Sequence, residues 1–134
     1  DIFVSYLIGD KLFEHSAKVI KSIASGALSA YVSSEIYDDI VSMLRSNGVP
    51  LHEVLEFINA MSKIPHKPLP LNTEIVTQAL TYYSKHGGSR KLHYFDSFHV
   101  ATAKYYGLPL LTSDKYIIEH ADDLEIVIVD LREI

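Results

Sequence analysis

Cysteine and tryptophan are both missing from the 134 residues. Without cysteine there is no disulfide, no zinc–thiolate or iron–sulfur site and no thiol nucleophile, which fits a reducing, cytoplasmic address. No apolar run approaches the roughly 18 residues of a membrane span. No basic, then apolar, then small-residue leader opens the chain. Positive charge is scarce, with 12 Lys and Arg against 17 Asp and Glu, a formal net charge of −5. That balance argues against a protein whose main task is coating nucleic acid. It still allows an enzyme that gathers carboxylates around a metal and grips phosphate with a few local cations. The apolar share of 48% against 22% charged is a globular rather than a disordered composition. The length suits one domain over residues 1–134. The first residue is Asp1 rather than Met, so a few further residues are expected upstream.

What is present is mostly apolar periodicity. Residues 2–8 are apolar and open the chain. Phe13, Ala17, Ile20, Ile23 and Ala24 follow helical spacing, and Gly26 stops that helix. Residues 28–32 read as a short strand, and Ser33 or Ser34 as the cap of the next helix. That helix carries Ile36, Ile40, Met43 and Leu44, and a further one after Pro50 carries Val54, Leu55, Ile58 and Met61. Residues 64–71 contain three prolines and read as extended, with at most an edge strand. Asn72 or Thr73 caps a helix through Tyr83, and residues 86–91 form a polar, Gly-rich loop. Residues 94–106 are helical up to Gly107. Residues 108–112 and 126–129 are nearly continuous apolar runs, as buried parallel strands are. Short strands alternating with amphipathic helices predict an α/β fold with a mainly parallel sheet flanked by helices. Active sites in such sheets lie at the carboxyl ends of strands.

Acidic residues follow those strand ends. Glu35, Asp38 and Asp39 come after the first strand, and Thr112, Ser113 and Asp114 after the strand at 108–112. Asp96 stands near the start of the helix that feeds the latter, and Asp1 precedes the first apolar segment. Carboxylate oxygens are hard ligands suited to Mg²⁺ or Mn²⁺. Such ions activate water and stabilise charge in phosphodiester cleavage. Each acid also has a structural role open to it: Asp96 as a macrodipole partner, Asp114 as the cap of a helix over 115–120, and Glu35, Asp38 and Asp39 as first-turn acids.

The order of these segments resembles a known family. Tyr94-Phe95-Asp96-Ser97-Phe98-His99-Val100-Ala101-Thr102-Ala103, then Gly107-Leu108-Pro109-Leu110-Leu111-Thr112-Ser113-Asp114, is similar to the C-terminal signature of PIN-domain nucleases. Asp1-Ile2-Phe3-Val4-Ser5-Tyr6-Leu7-Ile8 resembles the family's opening segment, and Val32-Ser33-Ser34-Glu35-Ile36-Tyr37-Asp38-Asp39 its second acidic segment. The resemblance covers nearly the whole chain. It implies a three-layer α/β/α domain with a central, mainly parallel sheet and Mg²⁺- or Mn²⁺-dependent cleavage of single-stranded RNA. It further implies a VapC-type toxin that forms a homodimer and is held by a small antitoxin protein. Asp96 carries over as the third acid and Asp114 as the fourth, with Thr112 as the polar helper. The second acid falls on Asp39, with Glu35 as the alternative. The family opens on Asp-Thr-Asn, and Asp1 aligns with the third residue of that triplet. The principal acid is therefore expected two residues upstream, with Asp1 a further site residue. A PIN-like scaffold with an impaired acid set is the rival reading.

Other features are weaker. Ser113 is a candidate for a water or phosphate, and Arg45, Lys85, Arg90, Lys91 and Lys115 are candidate phosphate contacts. Tyr94 and Tyr105 are candidates for base stacking. His93, Asp96 and His99 recur at i, i+3, i+6, but the second Glu-x-x-His of a di-iron bundle is absent. His99 therefore reads as a helix-surface or core residue. No P-loop and no Gly-x-Ser-x-Gly elbow occurs.

Overall fold

Helices and short strands alternate along residues 2–134, the part of the chain that the computed structural model describes. The apolar opening run is helical, α1 (Ile2–Ile8), with Phe3 and Ser5 facing inward. Gly9 leaves it with φ 80°, a conformation that costs glycine nothing. The buried Ser5 hydroxyl then donates to the Asp10 carboxylate at 2.6 Å. Asp10 also accepts from the Leu12 N–H at 2.8 Å, which sets the turn into α2 (Phe13–Ala24). That helix buries Val19, Ile20 and Ile23 on one face.

The first strand, β1 (Tyr31–Ser33), lies later than the expected 28–32. The reason is local: the Leu28 N–H still bonds the Ser22 carbonyl of α2 at 3.1 Å, so the helix terminus consumes the start of the apolar run. Neither Ser33 nor Ser34 caps α3 (Ile36–Ser46) as expected; Glu35 stands at the cap, and the Ser33 hydroxyl accepts from the Glu35 N–H at 3.3 Å. Pro50 precedes α4 (Leu51–Ser62). The Pro-rich segment supplies β2 (Lys67–Leu69), which pairs in parallel with β1, Tyr31 opposite Lys67 and Ser33 opposite Leu69.

Asn72 caps α5 (Thr73–His86) by accepting from the Ile75 N–H at 2.8 Å. α6 (Tyr94–Tyr106) has the expected bounds and ends at Gly107, left-handed at φ 65°. Closing that end takes the Leu108 N–H to the Ala103 carbonyl, and Pro109 has no N–H, so β3 (Leu110–Thr112) begins at 110 rather than 108. α7 (Lys115–Glu119) follows. β4 (Ile128–Asp130) starts after the expected 126 because Ile126 still bonds back to Ala121 and Glu125 turns with φ 55°. It pairs in parallel with β3, Leu110 opposite Ile128. A 3₁₀ turn, Leu131–Glu133, comes last.

The result is an α/β fold with parallel strand pairing and flanking helices, consistent with a three-layer α/β/α arrangement. Among the described residues the pairings form two separate two-stranded ladders, β1–β2 and β3–β4. Two apolar cores accompany them. One gathers Phe3, Ile20, Ile40, Val54 and Met61; the other gathers Ile75, Tyr82, Phe98, Val100 and Leu124. α6 packs on α5 and touches both β1 and β3, so it joins the two halves. The expectation of fully buried C-terminal strands needs correcting. β3 is half-buried, and Val127 and Val129 are 70% and 40% exposed. Among the described residues β4 pairs with β3, and Ile128, with Ile126 just ahead of the strand, packs on the second core.

Candidate metal centre

Three elements bring carboxylates together. Asp39 sits in the first turn of α3 and Asp96 in the first turn of α6. Asp114 follows β3 after Ser113 and caps α7, its side chain accepting from the Ile117 N–H at 3.1 Å. The Asp114 N–H donates to the Thr112 hydroxyl at 3.1 Å, so Thr112 shapes the turn that presents this acid. The donor atoms of Asp39, Asp96 and His99 all lie within 4.8 Å of one another. So do those of His93, Asp96 and Asp114, which makes Asp96 the shared member.

Two imidazoles lie beside the acids. His99 Nε2 is 2.9 Å from Asp39 Oδ2, and His93 Nδ1 is 3.4 Å from Asp96 Oδ2. The Asp96 carboxyl is held above the usual carboxylate range. Burial is the main cause and the negative fields of Asp114 and Asp39 add to it, while His99 and His93 oppose it. A cleft of about 380 Å³ opens beside Asp39, His93, Tyr94 and Asp96, over an apolar floor that includes Val4 and Met43. Half-buried carboxylates that repel one another, with imidazole nitrogens alongside, are a donor set that fits a divalent cation.

The other sequence candidates fall at varying distances from this cluster. Asp1 lies outside the described residues. Glu35, half-buried, stands just ahead of α3 and belongs to neither donor group among the described residues. Ser113 is half-buried between Thr112 and Asp114, and Lys115 opens α7 exposed. Arg90 and Lys91 are exposed in the turn that leads into α6. Arg45 lies at the other end of α3 from Asp39, about 9 Å along the axis at 1.5 Å per residue. Lys85 is exposed in the last turn of α5. Tyr94 lines the cleft, whereas Tyr105 is at the far end of α6.

His99 is the residue whose place the sequence reading did not anticipate. It is half-buried and bonded to an acid from another helix. The signal for it was its position three residues after Asp96, which puts both on one face of α6.

Against curated proteins and solved structures the chain finds no match. The family model of the PIN domain, by contrast, matches residues 1–123. PIN domains are α/β folds and typically metal-dependent nucleases, in keeping with carboxylates from α3, α6 and the end of β3 meeting around Asp96. The chain belongs to the PIN-domain family.

Proposed function

We propose that this protein is a metal-dependent endoribonuclease that hydrolyses single-stranded RNA, one domain over residues 1–134 acting as the toxin of a toxin–antitoxin pair. The observation that carries this reading is the meeting of Asp39, Asp96 and Asp114, from distant parts of the chain, in two donor groups that share Asp96. Those three acids hold Mg²⁺ or Mn²⁺, with Asp1 a further site residue on the strength of the family resemblance alone. When bound, such an ion supplies Lewis acidity at the scissile phosphate and lowers the pKa of water. The chain's own residues do the rest. Thr112 keeps Asp114 in position through the Asp114 N–H. Ser113 meets a phosphate oxygen or a water. Arg90, Lys91 and Lys115, all exposed, take backbone phosphates as RNA crosses the cleft. The resemblance to VapC-type toxins supports the remaining parts of the reading: a homodimer, a small antitoxin protein as partner, and action in the cytoplasm. No helix among the described residues is long and apolar enough to cross a membrane.

Full-length protein freed of any antitoxin is expected to cut single-stranded RNA with Mn²⁺ or Mg²⁺, and to stop when chelator is added. Asp114→Asn keeps shape and capping ability, since Asn caps helices as well as Asp does, yet removes a charged ligand. A loss of several kcal/mol of transition-state stabilisation is roughly 10²–10⁴ in rate, at tenfold per 1.36 kcal/mol. Lys91→Ala should mainly raise KM, because a phosphate contact is shared by ground and transition states. Inactivity of the full-length protein with Mn²⁺ over a broad panel of RNAs would overturn the reading in favour of a PIN-like scaffold.

A further inference from the structure

We infer that His99 is a positioning residue of this metal centre: its Nε2–H donates to Asp39 Oδ2 and holds that carboxylate with its second oxygen free for the cation. The inference rests on the metal-dependent reading above and adds a residue that reading does not need. α6 carries both parts. His99 follows Asp96 by three residues and so shares its face of the helix. One rigid helix thus sets a ligand and, beside it, the clamp on a second ligand that comes from α3.

Asp39 needs such a clamp. Its side chain is 27% exposed, and its negative charge faces that of Asp96. The imidazole, 17% exposed, holds it against that repulsion at 2.9 Å. A carboxylate can only accept, so the proton of this bond belongs to Nε2 and the histidine tautomer is set. With its proton aimed at Asp39, Nε2 has no lone pair left for a metal. Through this nitrogen His99 acts on the cation by way of Asp39, as hydrogen-bond partners of ligating carboxylates do.

The test is Mn²⁺ binding by calorimetry on the full-length wild type, His99→Leu, His99→Gln and Asp96→Asn, with metal-free melting temperatures alongside. His99→Leu removes the donor and should weaken Mn²⁺ binding ~10–100-fold. His99→Gln places an amide N–H close to where Nε2 was and should recover most of the loss. RNA cleavage at subsaturating Mn²⁺ should follow the same order. Wild-type affinity in His99→Leu, with only the melting temperature lowered, overturns the inference and leaves the metal reading standing. A His99→Gln protein as weak as His99→Leu also overturns it, because the imidazole would then be a ligand itself. A wild type that binds no Mn²⁺ better than Asp96→Asn brings down the metal reading and this inference together. Should His99→Leu fail to fold, nitrogen NMR of the metal-free wild type decides. An Nε2–H tautomer at His99 agrees with the clamp, and an Nδ1–H tautomer contradicts it.

Discussion

Asp96 bears the electrostatic conflict of the site. Its pKa lies above 3.8 in the folded chain, through burial first and then the charges of Asp114 and Asp39. The folded state therefore binds that proton more tightly than the unfolded state does. The contribution is fully present below about 3.8 and is lost as pH rises through the raised value. In metal-free protein, wild type should thus lose stability relative to Asp96→Asn across that window and stay the less stable of the two at neutral pH. Denaturant unfolding at a series of pH values measures the difference, and a constant difference across pH would contradict it. Asp10 has the opposite sign. The Ser5 hydrogen bond lowers its pKa, so its contribution is present above 3.8 and lost as pH falls through the lowered value. At this scale the sequence is informative about Asp96, Asp114 and Thr112, whose places beside a helix start and a strand end are local properties. It is silent on the bond between His99 and Asp39, which spans 60 positions. Helical spacing alone does not tell which face of α6 meets α3.

Helices were legible as elements because a 3.6-residue apolar period is written locally, and the bounds of α6 follow from it. The apolar run of α1 has no such period, and it is helical where it packs on α2 and α4. Strands begin later than their apolar runs suggest for one recurring reason. Leu28, Leu108 and Ile126 are apolar and look like strand, yet each N–H bonds back to a carbonyl of the preceding helix or turn. Pairing of strands into two ladders is a long-range property that no local pattern carries. The helix ends give tests with sizes. Asn72→Ala removes the acceptor for the Ile75 N–H and should cost about 1 kcal/mol. Gly107→Ala meets open space but keeps φ 65°, so it should cost ~1–2 kcal/mol of backbone strain. Gly87→Ala should cost more than either. A Cβ there would overlap the Tyr83 carbonyl oxygen and ring, and relief requires moving the turn that leads into α6. Equal unfolding free energies for the Gly87 and Gly107 variants would show that the Tyr83 contact relaxes at no cost.

Across the whole molecule, the acids come from both halves. Asp39 lies between Ile36 and Ile40, which belong to the core around α1–α4. Asp96 and Asp114 adjoin Phe98 and Ile117, which belong to the core around α5–α7. Without a cation, like charges face one another where the halves meet, along the helix that joins them. A cation held by all three would turn that repulsion into a tie between the cores. Binding to the native state alone adds RT ln(1 + [L]/Kd), about 2.7 kcal/mol at a hundredfold excess over Kd. At roughly 4 °C per kcal/mol for a chain of this size, Mn²⁺ should raise the melting temperature by roughly 10 °C. Asp96→Asn should lose most of that gain, because Asp96 belongs to both donor groups. Hydrogen exchange distinguishes a tie between the halves from a local effect. Mn²⁺ should slow exchange in α3 as well as in α6 and α7, since opening either half would break the shared site. Protection that rises around α6 and α7 while α3 stays unchanged would mean that Asp39 does not hold the ion, and that the cation is bound by the C-terminal acids alone.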